Sequence, residues 1–349
     1  MASLILTACG GGDSEEDNAP PAPTSTPVMT TTPKPDTTPS PNTDQVFFSP
    51  YKDILLGMNW NTNVIGTAVN GSQQTLLSAL PSKAEVVTWA FATGTCGSEN
   101  WGGLDGAAVA AANVGAWVAA NKKYIISTGG AAGAFNCTSD ANFVKFINRY
   151  NSPNLVGIDF DIEAGQTQAD IDSLVLRVKN AQSQFPHLRF SFTLATLGGN
   201  VQQSLGAQGQ LVMESIKRNG LSNYFINLMT MDYGSTTPSN CVVSGGQCDM
   251  GQSAVQAAIN LHKQYQLPYS QIEITPMIGG NDTIDETFTL ADVQTVTDFA
   301  IQNNLGGVHF WSFDRDKDCA PGYASATCNT YGVAGTLGFL NRFLNALAY

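Results

Sequence analysis

Short runs of consecutive apolar residues alternate along the chain with longer segments in which apolar residues recur every three or four positions. The short runs are Ile54–Met58, Val86–Phe91, Tyr124–Ser127, Val156–Ile162, Phe190–Leu194, Phe225–Met231, Ile272–Met277 and Gly307–Phe313. They are rich in Val, Ile and Phe, the pattern of strands buried on both faces. The segments between them have helical spacing. Phe143, Val144, Phe146, Ile147 and Tyr150 form one apolar face after Ser139, and Ile171, Leu174, Leu176 and Val178 form another. Thr289 is placed as an N-cap before Leu290, Val293, Val296 and Phe299. Strict alternation of strand and helix implies a parallel sheet. Eight such units, with no GxGxxG after the first strand, predict a closed (β/α)8 TIM barrel of the α/β class rather than an open doubly wound sheet.

The pattern fails before Gln45. From Ser14 to Thr43 the chain is dominated by Pro, Thr and Ser and has almost no apolar content. Such a segment cannot offset the entropy of ordering, so a disordered linker is expected there. The predicted organisation is a leader over residues 1–9, a linker over 10–45 and a barrel over 46–349. Leu4 to Ala8 followed by Cys9 and three glycines resembles the end of a lipoprotein signal, with Cys9 as the lipidated residue. Only eight residues precede Cys9 and none is basic, which is shorter than a working export signal. The Pro/Thr-rich segment would then serve as a tether on an extracellular, cell-surface or periplasmic protein.

Of the 349 residues, 28 are acidic and 16 are Lys or Arg, a net charge of −12. That balance argues against nucleic acid and against an anionic membrane as partner, both of which require a basic face. Membrane attachment is expected only through the lipid at Cys9. A neutral substrate and a monomeric body fit better.

Seven cysteines occur. With Cys9 set aside, six remain, and no CxxC pair or neighbouring His suggests a metal site. Disulfides formed in an oxidising compartment are expected. Cys241–Cys248 and Cys319–Cys328 are the short-loop pairs, which leaves Cys96–Cys137. All six follow strand-like runs, so the bridges would staple the loops at the C-terminal rim, where barrels of this type carry their chemistry.

The sharpest chemical feature is Gly157-Ile158-Asp159-Phe160-Asp161-Ile162-Glu163. In a strand, alternation puts the three carboxylates on one face and Ile158, Phe160 and Ile162 on the other. At about 3.3 Å per residue, Glu163 would stand roughly 13 Å above Asp159. Three stacked anions cannot all stay ionised cheaply, so at least one proton is held near neutral pH. A protonated acid at the mouth of a cleft is what cleavage of a glycosidic bond requires. No metal or other cofactor is needed for that chemistry.

At this motif the chain resembles glycoside hydrolase family 18, the chitinases, whose fourth strand carries DGxDxDxE. Asp159, Asp161 and Glu163 match the last three acidic positions, and Val156 stands at the first. Ser127-Thr128-Gly129-Gly130 resembles the family's SxGG. Met229 to Tyr233 resembles its MxYD segment, with Met231 at the usual Tyr position, then Asp232 and Tyr233. Gly307 to Ser312 resembles the segment whose Trp, here Trp311, floors the bound sugar.

The resemblance implies substrate-assisted, retaining hydrolysis of chitin or N-acetylglucosamine oligomers. In it Glu163 is the acid, Asp161 orients the N-acetyl group, Asp159 shares the proton of Asp161, and Asp232 and Tyr233 bind the N-acetyl group or the distorted sugar. Met231, Gly129 and Gly130 are carried over as substrate-binding, with Trp101 added as a sugar platform after the second strand. The short connection between strands seven and eight leaves no room for an α+β insertion, so a shallow cleft and endo cleavage are expected. His309 and Trp117 are read as packing residues. An endo-β-N-acetylglucosaminidase acting on N-glycans, or a non-catalytic chitin-binding lectin, would share much of this pattern.

Overall fold

The computed structural model describes residues 45–163 and 165–349. Cys9 and the Pro/Thr-rich segment lie outside the described residues.

Eight parallel strands close into a barrel: β1 (Phe48–Asp53), β2 (Val86–Ala92), β3 (Lys123–Gly129), β4 (Leu155–Asp161), β5 (Arg189–Ala195), β6 (Phe225–Met229), β7 (Ile272–Thr275) and β8 (Gly307–Phe310). Each pairs with its sequence neighbours, and β1 closes on β8 through Phe48↔Val308. Helices α1 (Leu76–Ala79), α2 (Gly106–Ala119), α3 (Asp140–Tyr150), α4 (Gln168–Ala181), α5 (Ala207–Asn219), α6 (Met250–Tyr265), α7 (Leu290–Asn303) and α8 (Gly338–Ala346) follow the strands in order. This is the expected TIM barrel. Among the described residues no helix is long and apolar enough to cross a membrane.

The helices form where local chemistry starts them and apolar faces hold them. Thr167 and Asp170 make a capping box at the start of α4, and Thr289 and Asp292 make another at α7. Ser139 caps α3, whose Phe143, Phe146, Ile147 and Tyr150 are buried. On α4 the inward residue is Val175 rather than Leu176. Trp117 of α2 packs edge-on against Trp89 of β2 with centroids 5.0 Å apart, and Trp89 stacks on Tyr124 of β3 at 4.5 Å. This confirms Trp117 as a packing residue.

The first strand lies upstream of its expected position. Ile54–Met58 is the turn that leaves β1: Leu56 N–H bonds Asp53 C=O, and Gly57 takes φ +72°. The real strand, Phe48-Ser49-Pro50-Tyr51-Lys52-Asp53, hides itself because its polar side chains are buried and paired. Ser49 Oγ meets Thr88 Oγ1 at 3.0 Å and His309 Nδ1 at 2.9 Å, and Lys52 Nζ lies 2.5 Å from Asp314.

The barrel interior is polar and layered. Lowest, Glu273 pairs with Arg189 and approaches His309 Nε2 at 3.4 Å. That buried cluster, with Ser49 beside His309 in the register, is where His309 belongs. In the middle layer the register sets Asp159 beside Ser127 and Ser191, and one step higher it sets Asp161 beside Gly129 and Thr193. The three disulfides form as expected, Cys96–Cys137, Cys241–Cys248 and Cys319–Cys328, with Cα separations of 5.1, 5.6 and 5.8 Å.

Candidate active site

The strand-four motif ends in a cavity of about 280 Å³ at the C-terminal mouth of the barrel. Asp161, Glu163, Met231, Asp232 and Trp311 line it, together with Tyr51, Phe91, Ala131, Thr193, Met229, Thr275, Met277 and Asp282.

Asp159 lies deepest and is fully engaged. Tyr51 and Ser127 donate hydroxyls to its Oδ2 at 3.0 and 2.6 Å, and Ser191 and Thr193 donate to its Oδ1 at 2.6 and 2.8 Å. Burial pushes its titration up, and these four hydroxyls pull it back. Tyr51 is tied in turn to Asn227, whose Nδ2 donates to it at 2.9 Å, while Thr275 donates to Asn227 Oδ1 at 2.7 Å.

Asp161 is different. It is buried, and its Oδ1 has no hydrogen-bond partner among the described residues. Its carboxyl bonds to that of Glu163. Burial, then Glu163, then Asp159 raise the Asp161 pKa well above the usual carboxylate range. Glu163 is half-buried and also raised, chiefly by burial. The Ala131 N–H and Asp161 oppose that rise, and the negative charge of Asp232 adds to it. Both upper carboxyls are thus pushed towards their protonated forms, and their titration belongs to the pair.

The surrounding loops shape this arrangement. A Cβ on Gly129 would fall 2.0 Å from the Asp161 carbonyl oxygen, and Gly129 has φ +89°, so only glycine lets β3 pass so close. Gly130 N–H bonds that same carbonyl at 3.1 Å, and the ring of Phe91 covers Gly130. Phe91 stacks on Trp311 with centroids 5.5 Å apart and planes at 21°, giving the cavity an aromatic wall.

No protein-family model matches the chain. Two curated proteins match a little over half of it. The Escherichia coli (strain K12) protein named "Probable bifunctional chitinase/lysozyme" is 33% identical over 211 residues, 55% of this chain and 23% of its own length. Endochitinase 11 of Metarhizium anisopliae is 33% identical over 215 residues, 56% of this chain and 40% of its own length. This chain thus spans less than half of either relative. Among solved structures, the catalytic domain of a hyperthermophilic chitinase from Pyrococcus furiosus superposes with a TM-score of 0.66 at 27% identity, covering 87% of this chain and 97% of that one. Catalytic-site mutants of active domain 2 of the thermostable chitinase from the same organism, complexed with chito-oligosaccharides, match with a TM-score of 0.66 at 25% identity over 87% and 95%.

The chain is related to chitinases.

Glu163, Asp161, Asp232, Met231 and Trp311 meet at the cavity, and Asp159 lies below it. Gly129 and Gly130 sit behind the lining and act through the backbone. Tyr233 does not reach the cavity. Asp232 takes a left-handed φ of +51°, which ends the extended alternation of β6 and turns Tyr233 into the core. Trp101 is not an open platform: it is fully buried in the rim hairpin, with Nε1 donating to Tyr150 Oη at 2.8 Å. Sequence reasoning missed Tyr51 and Phe91. Tyr51 was hidden by the misplaced first strand. Phe91 was visible at the end of β2 but carried no signal separating a lining ring from a packed one.

Proposed function

We propose that this chain hydrolyses β-1,4-linked N-acetylglucosamine chains, with the sugar's own acetamido group as nucleophile. The observation that carries the reading is the buried Asp161–Glu163 carboxyl pair, with a free Asp161 oxygen, at the edge of a cavity walled by Trp311.

The chemistry follows from where the proton can go. With an N-acetyl sugar in the cavity, the acetamido N–H can donate to the free oxygen of Asp161. That bond stabilises the Asp161 anion, so the shared proton passes to Glu163. Glu163 donates it to the glycosidic oxygen as the bond from C1 to that oxygen breaks. The acetamido carbonyl oxygen bonds to C1, giving a cyclic oxazolinium whose positive charge faces Asp161. Water then attacks C1, Glu163 takes its proton, and the ring opens with net retention. No enzyme carboxylate bonds to the sugar, in contrast to the paired-carboxylate scheme of ordinary retaining glycosidases.

Between Thr275 and Gly307 the chain holds only a two-stranded hairpin and the 14 residues of α7, which supports an open cleft and internal cleavage. The three disulfides support export to an oxidising compartment, with the barrel acting as a monomer tethered behind Cys9.

The test is incubation with N-acetylglucosamine oligomers and, separately, with a high-mannose glycopeptide, followed by product mass analysis. Shortened N-acetylglucosamine oligomers support the reading. Cleavage of the glycopeptide alone would move the substrate to N-glycans, and binding without products from either would indicate a lectin.

A further inference from the structure

Asp232 is the one cavity carboxylate whose backbone is in the left-handed region, at φ +51°. Asp enters that region more readily than most side chains, and still at a cost that its surroundings offset. Here the loop after β7 does so with four bonds. Asn281 Oδ1 accepts the Asp232 N–H at 3.2 Å, and Glu286 Oε2 accepts the Tyr233 N–H at 3.0 Å. In return, Asp232 Oδ1 accepts the N–H groups of Asp282 and Thr283 at 2.7 and 3.1 Å.

The two loop side chains are themselves fixed. Asn281 and Glu286 are 1% and 2% exposed. Asn281 Nδ2 donates to the carbonyls of Met277 and Gly279, and its backbone N–H donates to Glu286 C=O at 2.9 Å. Arg315, from the loop after β8, donates to the Ile278 and Gly280 carbonyls at 3.0 and 2.6 Å. Neither Asn281 nor Glu286 lines the catalytic cavity.

We infer that Glu286 is a positioning residue for catalysis: with Asn281 it clasps the Asp232–Tyr233 turn and so fixes the Asp232 carboxylate opposite Glu163. The inference rests on the reading of Glu163 as the acid. Asp232 is one of the groups that hold the Glu163 titration up, so losing the clasp lets Glu163 fall. The charged and titratable groups around the clasp are Asp232 and Tyr233 from the β6 loop, Asp282 and Asp285 from its own loop, and Arg315 beneath. Burial pushes Glu286 itself up to about 7, so its charge and its reach must be tested separately.

Three variants of the full chain separate them. Glu286→Gln keeps an acceptor at full length and loses the charge. Glu286→Asp keeps the charge and loses the reach, and Glu286→Ala loses both. The Glu163 carboxyl is titrated by ¹³C NMR at low salt in each, with Asp232→Asn as the reference for a lost Asp232 charge. Kinetics on an N-acetylglucosamine oligomer give kcat and KM.

The expected pattern is that the Asp and Ala variants titrate Glu163 lower, towards the Asp232→Asn value. Their kcat should fall on the order of 10²-fold, as for a misplaced catalytic constellation. Gln should stay near wild type in both. Should Ala fail to fold, the contrast between Gln and Asp carries the same information. A Glu163 titration unchanged in Asp, or Gln as damaging as Asp, overturns the proposal. The NMR titration needs no turnover, so a wild type inactive on the oligomer would sink the functional reading while the clasp is still tested.

Discussion

The carboxyl of Asp161 bonds to that of Glu163 above it and not to that of Asp159 below it. The reason lies one layer down. Asp159 already receives four hydroxyls and has no lone pair left to offer, which leaves Glu163 as the carboxyl partner of Asp161. In the proposed reaction, the unpartnered Oδ1 of Asp161 accepts the acetamido N–H.

Replacing Asp161 by Asn should remove the anion that faces the oxazolinium while keeping the size of the side chain. The expected result is a kcat lower by about 10²–10⁴-fold. Inhibition by a thiazoline mimic of the cyclic intermediate should weaken in parallel. Unimpaired thiazoline inhibition would show that Asp161 does not serve the acetamido group.

The pH dependence has a defined sign. Glu163 must carry a proton to act as the acid, so kcat/KM falls as pH rises through its raised pKa. Asp232 helps to keep that pKa up, so Asp232→Asn should move the basic limb to lower pH. Asp232 is exposed at the mouth, and its effect is screened by salt; the comparison belongs at low ionic strength. A basic limb that stays in place or moves up would contradict the electrostatic account.

Two of the disulfides should differ in their contribution to stability. Cys96–Cys137 closes a separation of 41 residues and Cys241–Cys248 one of 7. Chain-entropy arguments put their removal at about 4 and about 2 kcal/mol respectively. Paired Cys→Ser variants, unfolded in denaturant under oxidising conditions, check the order. Equal losses would mean that strain or residual structure in the unfolded chain dominates.

The fold was legible because seven of the eight strands are apolar runs and because Thr289 and Ser139 mark helix starts. The first strand was not, since Ser49 and Lys52 look exposed until His309 and Asp314 are brought to them by the closed barrel. In the site, alternation along β4 was enough to stack Asp159, Asp161 and Glu163. Tyr233, carried over by resemblance alone, packs in the core rather than at the cavity, where the left-handed Asp232 turns the chain. Trp101 misled for a related reason. Its rim hairpin turns the indole inward to Tyr150, and nothing in the adjoining glycines distinguishes a platform from a plug.

The account stands most directly on Glu163 as the proton donor. The measurement is turnover of a defined N-acetylglucosamine oligomer by Glu163→Gln and by wild type, with binding followed by calorimetry on the same samples. The expected result is unchanged binding with turnover reduced by at least about 10²–10⁴-fold, the contribution of general acid catalysis. A Glu163→Gln variant that binds and still turns over at near the wild-type rate would contradict it.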